Sequence, residues 1–235
     1  MAVDPREVLT RPAPAPDFTG AYGDHPDQVF DVRGAGPLLV FVHGGFWRAE
    51  YDRAHVGPLS AGFAAEGFRV ATIEFRRTGQ PGGGWPGTFD DIQLALAEVP
   101  RILGQELALV SGHSAGGHLA LWASVDCPVL ALAPVTGLAG AHDLDDRAAH
   151  LLLGGGPEEV PERYAFAEPS RVGTLVHGTE DRQVPVDLSL AYAARTGSRL
   201  VELPGVEHFG LIDPLSTAWP TVLAEARALV GMLGS

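Results

Sequence analysis

The chain has 235 residues, of which 46% are hydrophobic, so it is long enough for one globular domain with a sizeable core. Acidic residues outnumber basic ones by 29 to 16, and the formal net charge of −13 would repel a nucleic-acid backbone or an anionic membrane surface. Neither nucleic acid nor membrane is therefore expected as a partner. We expect the thiol of the single cysteine, Cys127, to be buried and inert. The alternative is a nucleophilic thiol.

The N-terminal segment, residues 1–18, combines Arg6 and Arg11 with several prolines and lacks the apolar stretch of a secretory signal. We expect it to form a mobile or surface-wrapping arm, and residues 19–235 to form a single domain. The sequence contains no run of about 18 consecutive apolar residues, so no membrane-spanning helix is expected. Together with the low cysteine content, these features predict a cytoplasmic protein.

Short apolar runs rich in β-branched and aromatic residues alternate with helix-length segments along the chain. Strands are predicted at residues 29–32, 38–42, 69–75, 107–110, 129–133, 174–176 and 200–203. Helices are predicted at residues 53–66, 88–103, 117–124, 186–195 and 219–233. The alternation is typical of an α/β fold with a mostly parallel central sheet, helices on both faces, and functional residues at the carboxyl ends of the strands.

Two segments interrupt this alternation. Residues 79–87 are rich in Gly and Pro and predict a surface loop, in which Trp85 packs inward or, alternatively, lines a pocket. Residues 136–170 contain a helix-like stretch at 142–153, a triple-glycine stop and a second short helix opened by Pro157. This second segment is the candidate for a small lid.

Residues 112–116 read Gly-His-Ser-Ala-Gly and lie between a predicted strand and a predicted helix. In that context the pattern is typical of a nucleophile elbow, in which a strand turns sharply into a helix. Gly112 and Gly116 lack the side chains that would collide at such a turn, and Ser114 is left at its tip. The pattern predicts that Ser114 is the nucleophile of a serine hydrolase.

A serine hydroxyl is a weak nucleophile and needs a basic partner, usually a histidine that a carboxylate orients. Asp181 follows the strand predicted at 174–176, and His208 follows the strand predicted at 200–203. The resulting order of serine, acid and histidine is the one expected in an α/β-hydrolase. We therefore expect Asp181 and His208 to complete a catalytic triad.

Other residues compete for the same roles. The alternative acids are an adjacent residue on the same turn, a residue inside the next helix and a residue after the histidine, namely Glu180, Asp187 and Asp213. His113 and His118 flank the nucleophile and are expected to pack around the elbow, not to act as the base. His208 alone has the expected downstream position.

Acyl transfer builds negative charge on a carbonyl oxygen, which preorganised backbone N–H groups stabilise. One donor is expected to be Ala115, directly after the nucleophile, and the others Gly45 and Phe46, in the loop after the strand predicted at 38–42. His43 is expected to be a buried hydrogen-bonding residue that shapes this loop.

The motifs HGGFW at 43–47, GHSAGGHLA at 112–120, HGTEDRQVP at 177–185 and EHF at 207–209 together resemble those of the α/β-hydrolase superfamily, on its esterase and lipase side. The HGG followed by an aromatic residue and Trp is more particularly similar to kynurenine formamidase (arylformamidase). The resemblance runs from about residue 36 to residue 235. Phe46 stands where many hormone-sensitive-lipase-like esterases have a third glycine.

These patterns predict a serine hydrolase, with no metal or other cofactor, that cleaves a small acyl ester or an aryl formamide through an acyl-enzyme. Trp47 and Phe209 are expected to contact the substrate, with a place in the core as the alternative for Phe46 and Trp47. The sequence has no Cys, His and carboxylate cluster at metal-ligand spacing. Three alternatives remain, namely a general carboxylesterase, a small peptidase resembling the prolyl-oligopeptidase group and a non-catalytic ligand-binding protein on the same fold.

Overall fold

Eight strands form one sheet in the computed structural model, which describes residues 4–140 and 144–232. The strands are β1 (Phe18–Ala21), β2 (Val29–Arg33), β3 (Leu38–Val42), β4 (Arg69–Ile73), β5 (Leu107–His113), β6 (Val129–Leu132), β7 (Thr174–Gly178) and β8 (Arg199–Leu203). Their order across the sheet is β1-β2-β4-β3-β5-β6-β7-β8. The β1–β2 and β2–β4 pairs are antiparallel, and the remaining pairs are parallel. The expected mostly parallel α/β sheet is confirmed.

Helices follow most of the strands. They are α1 (Gly57–Ala65), α2 (Gly87–Leu103), α3 (Ala115–Trp122), α4 (Leu144–Leu153), α5 (Pro161–Ala167), α6 (Val186–Thr196) and α7 (Trp219–Leu229). Short 3-10 helices occur at Pro5–Leu9, Arg53–Val56 and His208–Ile212. Across the described ranges, no helix combines the length and the apolar character needed to cross a membrane.

The side chains of β3 alternate between two hydrophobic clusters, one on each face of the sheet. Val40 and Val42 belong to a cluster that includes buried residues of α2 and α3. Leu39 and Phe41 belong to a second cluster that includes buried residues of α1 and α7. Because successive strand side chains point to opposite faces, the helices cover the sheet on both sides.

Two elements differ from the sequence predictions, and the ends of two others lie outside the described residues. The sequence analysis missed β1, a short antiparallel edge strand whose side chains are mostly exposed and therefore show no apolar alternation. The second short helix of the 136–170 segment begins at Pro161 and not at Pro157, because residues 157–160 form a turn. The start of the helix predicted at 142–153 and the end of the one predicted at 219–233 lie outside the described residues.

The described part of the N-terminal arm lies on the face of the sheet that carries α1 and α7. Val8, in the 3-10 helix Pro5–Leu9, is 1% exposed and belongs to the second hydrophobic cluster. Further along the arm, the guanidinium of Arg11 donates to both carboxylate oxygens of Asp213, at 2.5 and 2.9 Å. The arm is therefore attached by an apolar contact and by a bidentate ion pair.

Candidate active site

Ser114 lies at the turn between β5 and α3 with φ 56° and ψ −118°, a conformation that is disfavoured for a residue with a side chain. The chain passes very close to itself on either side of this turn. A Cβ on Gly112 would lie 2.2 Å from the carbonyl oxygen of Gly116, and one on Gly116 would lie 2.1 Å from that of Val42. Only glycine fits at both positions, which gives the elbow pattern its physical cause.

Asp181 and His208 meet beyond the carboxyl ends of β7 and β8. His208 Nδ1 lies 2.6 Å from Asp181 Oδ2, so Nδ1–H donates to the carboxylate and Nε2 is left as the basic nitrogen. Ser114 and His208 are 1% and 3% exposed and line the same cavity. The structure thus brings together the three residues that the sequence assigns to a triad.

Asp181 is held by donors on several sides. Two backbone N–H groups, of Gln183 and Val184, donate to its Oδ1 at 2.8 Å each. Burial by itself would raise the pKa of Asp181, but hydrogen bonds from His177 and His208 outweigh burial and keep that pKa well below the usual range. The carboxylate is therefore ionised and fixed in orientation.

The loop after β3 has three successive residues with positive φ, namely Gly45 at 106°, Phe46 at 48° and Trp47 at 57°. Two of these are not glycine, so the loop is strained. Gly45 and Phe46 line the same cavity as Ser114. Ala115 opens α3, and the N–H groups of a first helical turn have no intrahelical acceptor. The geometry suits backbone stabilisation of an oxyanion.

The cavity beside Ser114 has a volume of about 290 Å³, which suits a small substrate. Its lining combines aromatic rings, imidazoles and glycine backbone. The described residues that line it are Arg6, Leu9, Gly45, Phe46, Tyr51, His55, His113, Ser114, Gln183, His208 and Phe209.

Comparisons with known proteins place this geometry in a wider context. A family model described as BD-FAE matches residues 31–132. Among solved structures, a truncated form of a carbohydrate esterase from gut microbiota superposes with a TM-score of 0.74 at 16% identity, over 92% of this chain and 98% of that one. The chain has the α/β-hydrolase fold.

Two curated proteins are similar to this chain in sequence. Esterase LipC of Mycobacterium tuberculosis is 28% identical over 258 aligned positions, which cover 88% of this chain and 63% of LipC. Lipopolysaccharide heptosyltransferase 1 of Pseudomonas aeruginosa is 30% identical over 137 positions, which cover 55% of this chain and 38% of that protein. The chain thus spans only part of the length of either relative. The esterase side of the resemblance is supported, and the likeness to kynurenine formamidase stays a proposal.

Trp47 does not have the position that the sequence analysis assigned to it. Its side chain is 1% exposed, belongs to the first hydrophobic cluster and meets the ring of His118 edge to face at 5.2 Å. Trp47 is not among the residues that line the cavity, whereas Phe209 is. The side chain of Trp47 therefore lies in the core and outside the cavity lining.

The segment 136–170 does not cover the cavity either. None of its described residues, 136–140 and 144–170, lines it. Instead, backbone oxygens of α5 accept hydrogen bonds from His118 and Trp122 on α3, and the ring of Phe166 packs on Trp85 at 4.7 Å. Trp85 thereby packs inward as expected. The described part of the segment packs on the face of the sheet that carries α2 and α3, and it does not line the cavity.

The alternative acids and the alternative nucleophile, Cys127, have surroundings that differ from those of Asp181 and Ser114. Asp213 is paired with Arg11, and Asp187 lies in the first turn of α6. Glu180 is exposed. Burial raises the pKa of the Cys127 thiol, which is outside the cavity lining. Among the described residues, no group of three or more His, Cys, Asp or Glu side chains is arranged to hold a metal ion.

A buried ion network under the loop after β3 was missed by the sequence analysis. Glu74, just past β4, lies 2.8 Å from His43 Nε2 and 3.1 Å from Arg77 Nη1. Burial tends to raise the pKa of Glu74, but His43 and Arg77 more than offset this and lower it to about 2. His43 Nδ1 also donates to the Gly44 carbonyl at 2.8 Å, so the network supports the candidate oxyanion loop. A carboxylate at the end of a predicted strand was the signal available in the sequence.

A second histidine on the acid was also missed. His177, the penultimate residue of β7, is fully buried, and its Nε2 lies 3.3 Å from Asp181 Oδ2 and 3.0 Å from the Val184 carbonyl oxygen. Its Nδ1 lies 2.7 Å from the hydroxyl of Ser189 on α6. Nε2–H therefore faces the carboxylate while Nδ1 accepts from Ser189. The signal for this contact in the sequence was the His177-Gly178 pair, which precedes the turn that contains Asp181.

Proposed function

We propose that this α/β-hydrolase is a serine esterase that hydrolyses small acyl esters through an acyl-enzyme. The observation that carries the proposal is the contact of Asp181 with His208, at 2.6 Å, where His208 lines the same cavity as Ser114 on its strained turn. A buried Ser-His-Asp set next to candidate oxyanion donors is the arrangement that acyl transfer requires.

Each residue has one task in the proposed reaction. His208 Nε2 takes the proton of Ser114 as the hydroxyl oxygen attacks the carbonyl carbon, and Asp181 stabilises the imidazolium that forms. The N–H groups of Gly45, Phe46 and Ala115 stabilise the oxyanion. His208 then gives the proton to the departing alcohol or amine. Water, activated by His208, attacks the acyl-enzyme and releases the acid.

The names of two similar proteins support the esterase assignment. LipC is named an esterase, and the superposed structure is titled a carbohydrate esterase. A peptidase resembling the prolyl-oligopeptidase group and a ligand-binding protein would use the same fold. A ligand-binding protein, however, has no need for a histidine that contacts an aspartate and shares a cavity with a serine. We therefore place a general carboxylesterase activity first.

Aryl formamide hydrolysis is the second candidate. It is supported by the HGGFW motif and by the small volume of the cavity, about 290 Å³, with the rings of Phe46, Tyr51 and Phe209 in its lining. A formyl group is the smallest acyl group, so such a site can place most of its contacts on an aromatic leaving group.

A fluorophosphonate probe tests the serine hydrolase assignment, and a substrate panel tests the preference. We expect mass spectrometry to find the probe on Ser114 in the wild type and no labelling of Ser114→Ala. The panel compares p-nitrophenyl acetate and butyrate with an aryl formamide. Faster butyrate hydrolysis with no formamide cleavage leaves the carboxylesterase assignment and contradicts the formamide preference. An unlabelled Ser114 with no turnover contradicts both.

A further inference from the structure

The N-terminal arm supplies part of the cavity wall. Arg6 and Leu9, on either side of the buried Val8, line the cavity together with Ser114. Asp4 caps the 3-10 helix by accepting the Arg6 backbone N–H at 2.9 Å. Val8 in the core and Arg11 paired to Asp213 hold the arm on the C-terminal side of Arg6.

Arg6 lies near His208 through the ring of Phe209. Its guanidinium carbon is 5.7 Å from the centroid of the Phe209 ring, in the geometry of a cation–π contact. The Phe209 ring in turn lies 5.1 Å from the ring of His208. His208 is the residue that protonates the leaving group in the proposed reaction, so groups attached to the leaving atom extend toward Phe209 and Arg6.

Arg6 is also the permanently charged side chain of this cavity. Among the described lining residues the others are neutral or imidazoles, and burial lowers the pKa of His55 to about 4 and that of His113 well below its usual range. A nearby carboxyl is that of Glu207, whose pKa is raised by burial and partly lowered by the charge of Arg6. Within the described part of the chain, no carboxylate lies within 4.0 Å of the Arg6 guanidinium.

We propose that Arg6 is a specificity-determining residue that binds a carboxylate carried by the leaving group of the substrate. The guanidinium contacts the ring of Phe209, and no carboxylate of residues 4–140 and 144–232 pairs with its donors. The chain has a net charge of −13, so most of its surface repels an anionic group, whereas the local cation of Arg6 attracts one. The inference rests on the proposed function, because it defines the leaving group by the triad.

A matched pair of acetyl esters tests the proposal. The acetyl esters of 3-hydroxybenzoate and 3-hydroxybenzamide share the acyl group and nearly the same shape, and differ in the charge of the leaving group. We expect Arg6→Gln to lower kcat/KM for the benzoate about fivefold to tenfold more than for the benzamide, mainly through KM. Arg6→Lys should retain part of the preference, and high salt should reduce it in the wild type.

Arg101→Gln is the matched control, because Arg101 is an exposed arginine, paired with Glu98, that is not among the cavity-lining residues. Arg101→Gln should leave kcat/KM for both esters unchanged. Equal losses for both esters in Arg6→Gln would overturn the proposal and leave Arg6 a packing partner of Phe209. If the wild type hydrolyses no ester, the proposed function fails. Calorimetric binding of 3-hydroxybenzoate against 3-hydroxybenzamide, in wild type and Arg6→Gln, then tests the carboxylate site alone, and equal affinities contradict it.

Discussion

His177 Nε2 lies 3.3 Å from Asp181 Oδ2, so the candidate catalytic acid has a second histidine beside it. His177 is fully buried and cannot reach the cavity, because it is not among the residues lining it. Its effect on the reaction is therefore through the orientation and charge of Asp181, which makes it a positioning residue.

Replacing His177 should lower the turnover rate more than it weakens binding. His177→Phe removes a donor to the carboxylate, and we expect kcat to fall about tenfold or more while KM changes little, because a misoriented triad slows chemistry and not binding. His177→Gln keeps an N–H donor and should recover part of the loss. Steady-state kinetics on a p-nitrophenyl ester measure both. Equal losses in the two variants, matched by loss of stability in urea, would assign His177 to the core alone.

Ser114→Ala should retain the fold, since it removes one oxygen from a position with little exposure. We expect kcat to fall by about four orders of magnitude, because the nucleophile is lost. Circular dichroism and ester hydrolysis measure the two properties. A variant with wild-type turnover would contradict the mechanism.

The choice of acid is tested by a pair of adjacent substitutions. Asp181→Asn should lower kcat by about a thousandfold or more, because an amide at 2.6 Å from His208 Nδ1 favours the wrong tautomer. Glu180→Gln, at an exposed position next to it, serves as the control and should have little effect. The reverse result would show that the acid is Glu180.

Glu74 should make stability depend on pH in the acid range. Its folded-state pKa of about 2 lies below the reference value of 4.5, so its contribution is fully present above about pH 4.5 and is lost as pH falls toward 2. The shift corresponds to roughly 3 kcal/mol. Urea unfolding should show the wild type more stable than Glu74→Gln at pH 7, with less than about half of that difference left at pH 3. A difference that does not change with pH would contradict the assignment.

Trp47 should act on stability and not on substrate choice. Trp47→Ala removes a large, fully buried side chain and should lower the free energy of unfolding by about 3–5 kcal/mol. Trp47→Phe should cost less and should leave the ratio of kcat/KM for aryl and alkyl esters as in the wild type. A change in that ratio for Trp47→Phe would show that Trp47 reaches the substrate after all.

The strand and helix pattern, the elbow and the order of serine, acid and histidine could be predicted from sequence because each depends on local periodicity or on the strand-end rule. Apolar runs give strands, and parallel strands bring their carboxyl ends to one edge, where Ser114, Asp181 and His208 follow β5, β7 and β8. Gly112 and Gly116 mark the elbow because no other residue fits such close backbone contacts.

Tertiary structure alone decided which residues surround that site. Arg11 and Asp213 are 202 positions apart, and no local pattern predicts the contact that brings the arm to the cavity. No local pattern predicts the burial of Trp47 either, a loop residue in a run of consecutive positive φ values. Nor does one predict that the segment 136–170 contacts α3 through α5 and does not cover the cavity. Local sequence determines the elements and their order, whereas the walls of the cavity depend on packing between distant segments. The reason is that the burial of apolar surface is favourable whatever the separation of the two contacting residues along the chain.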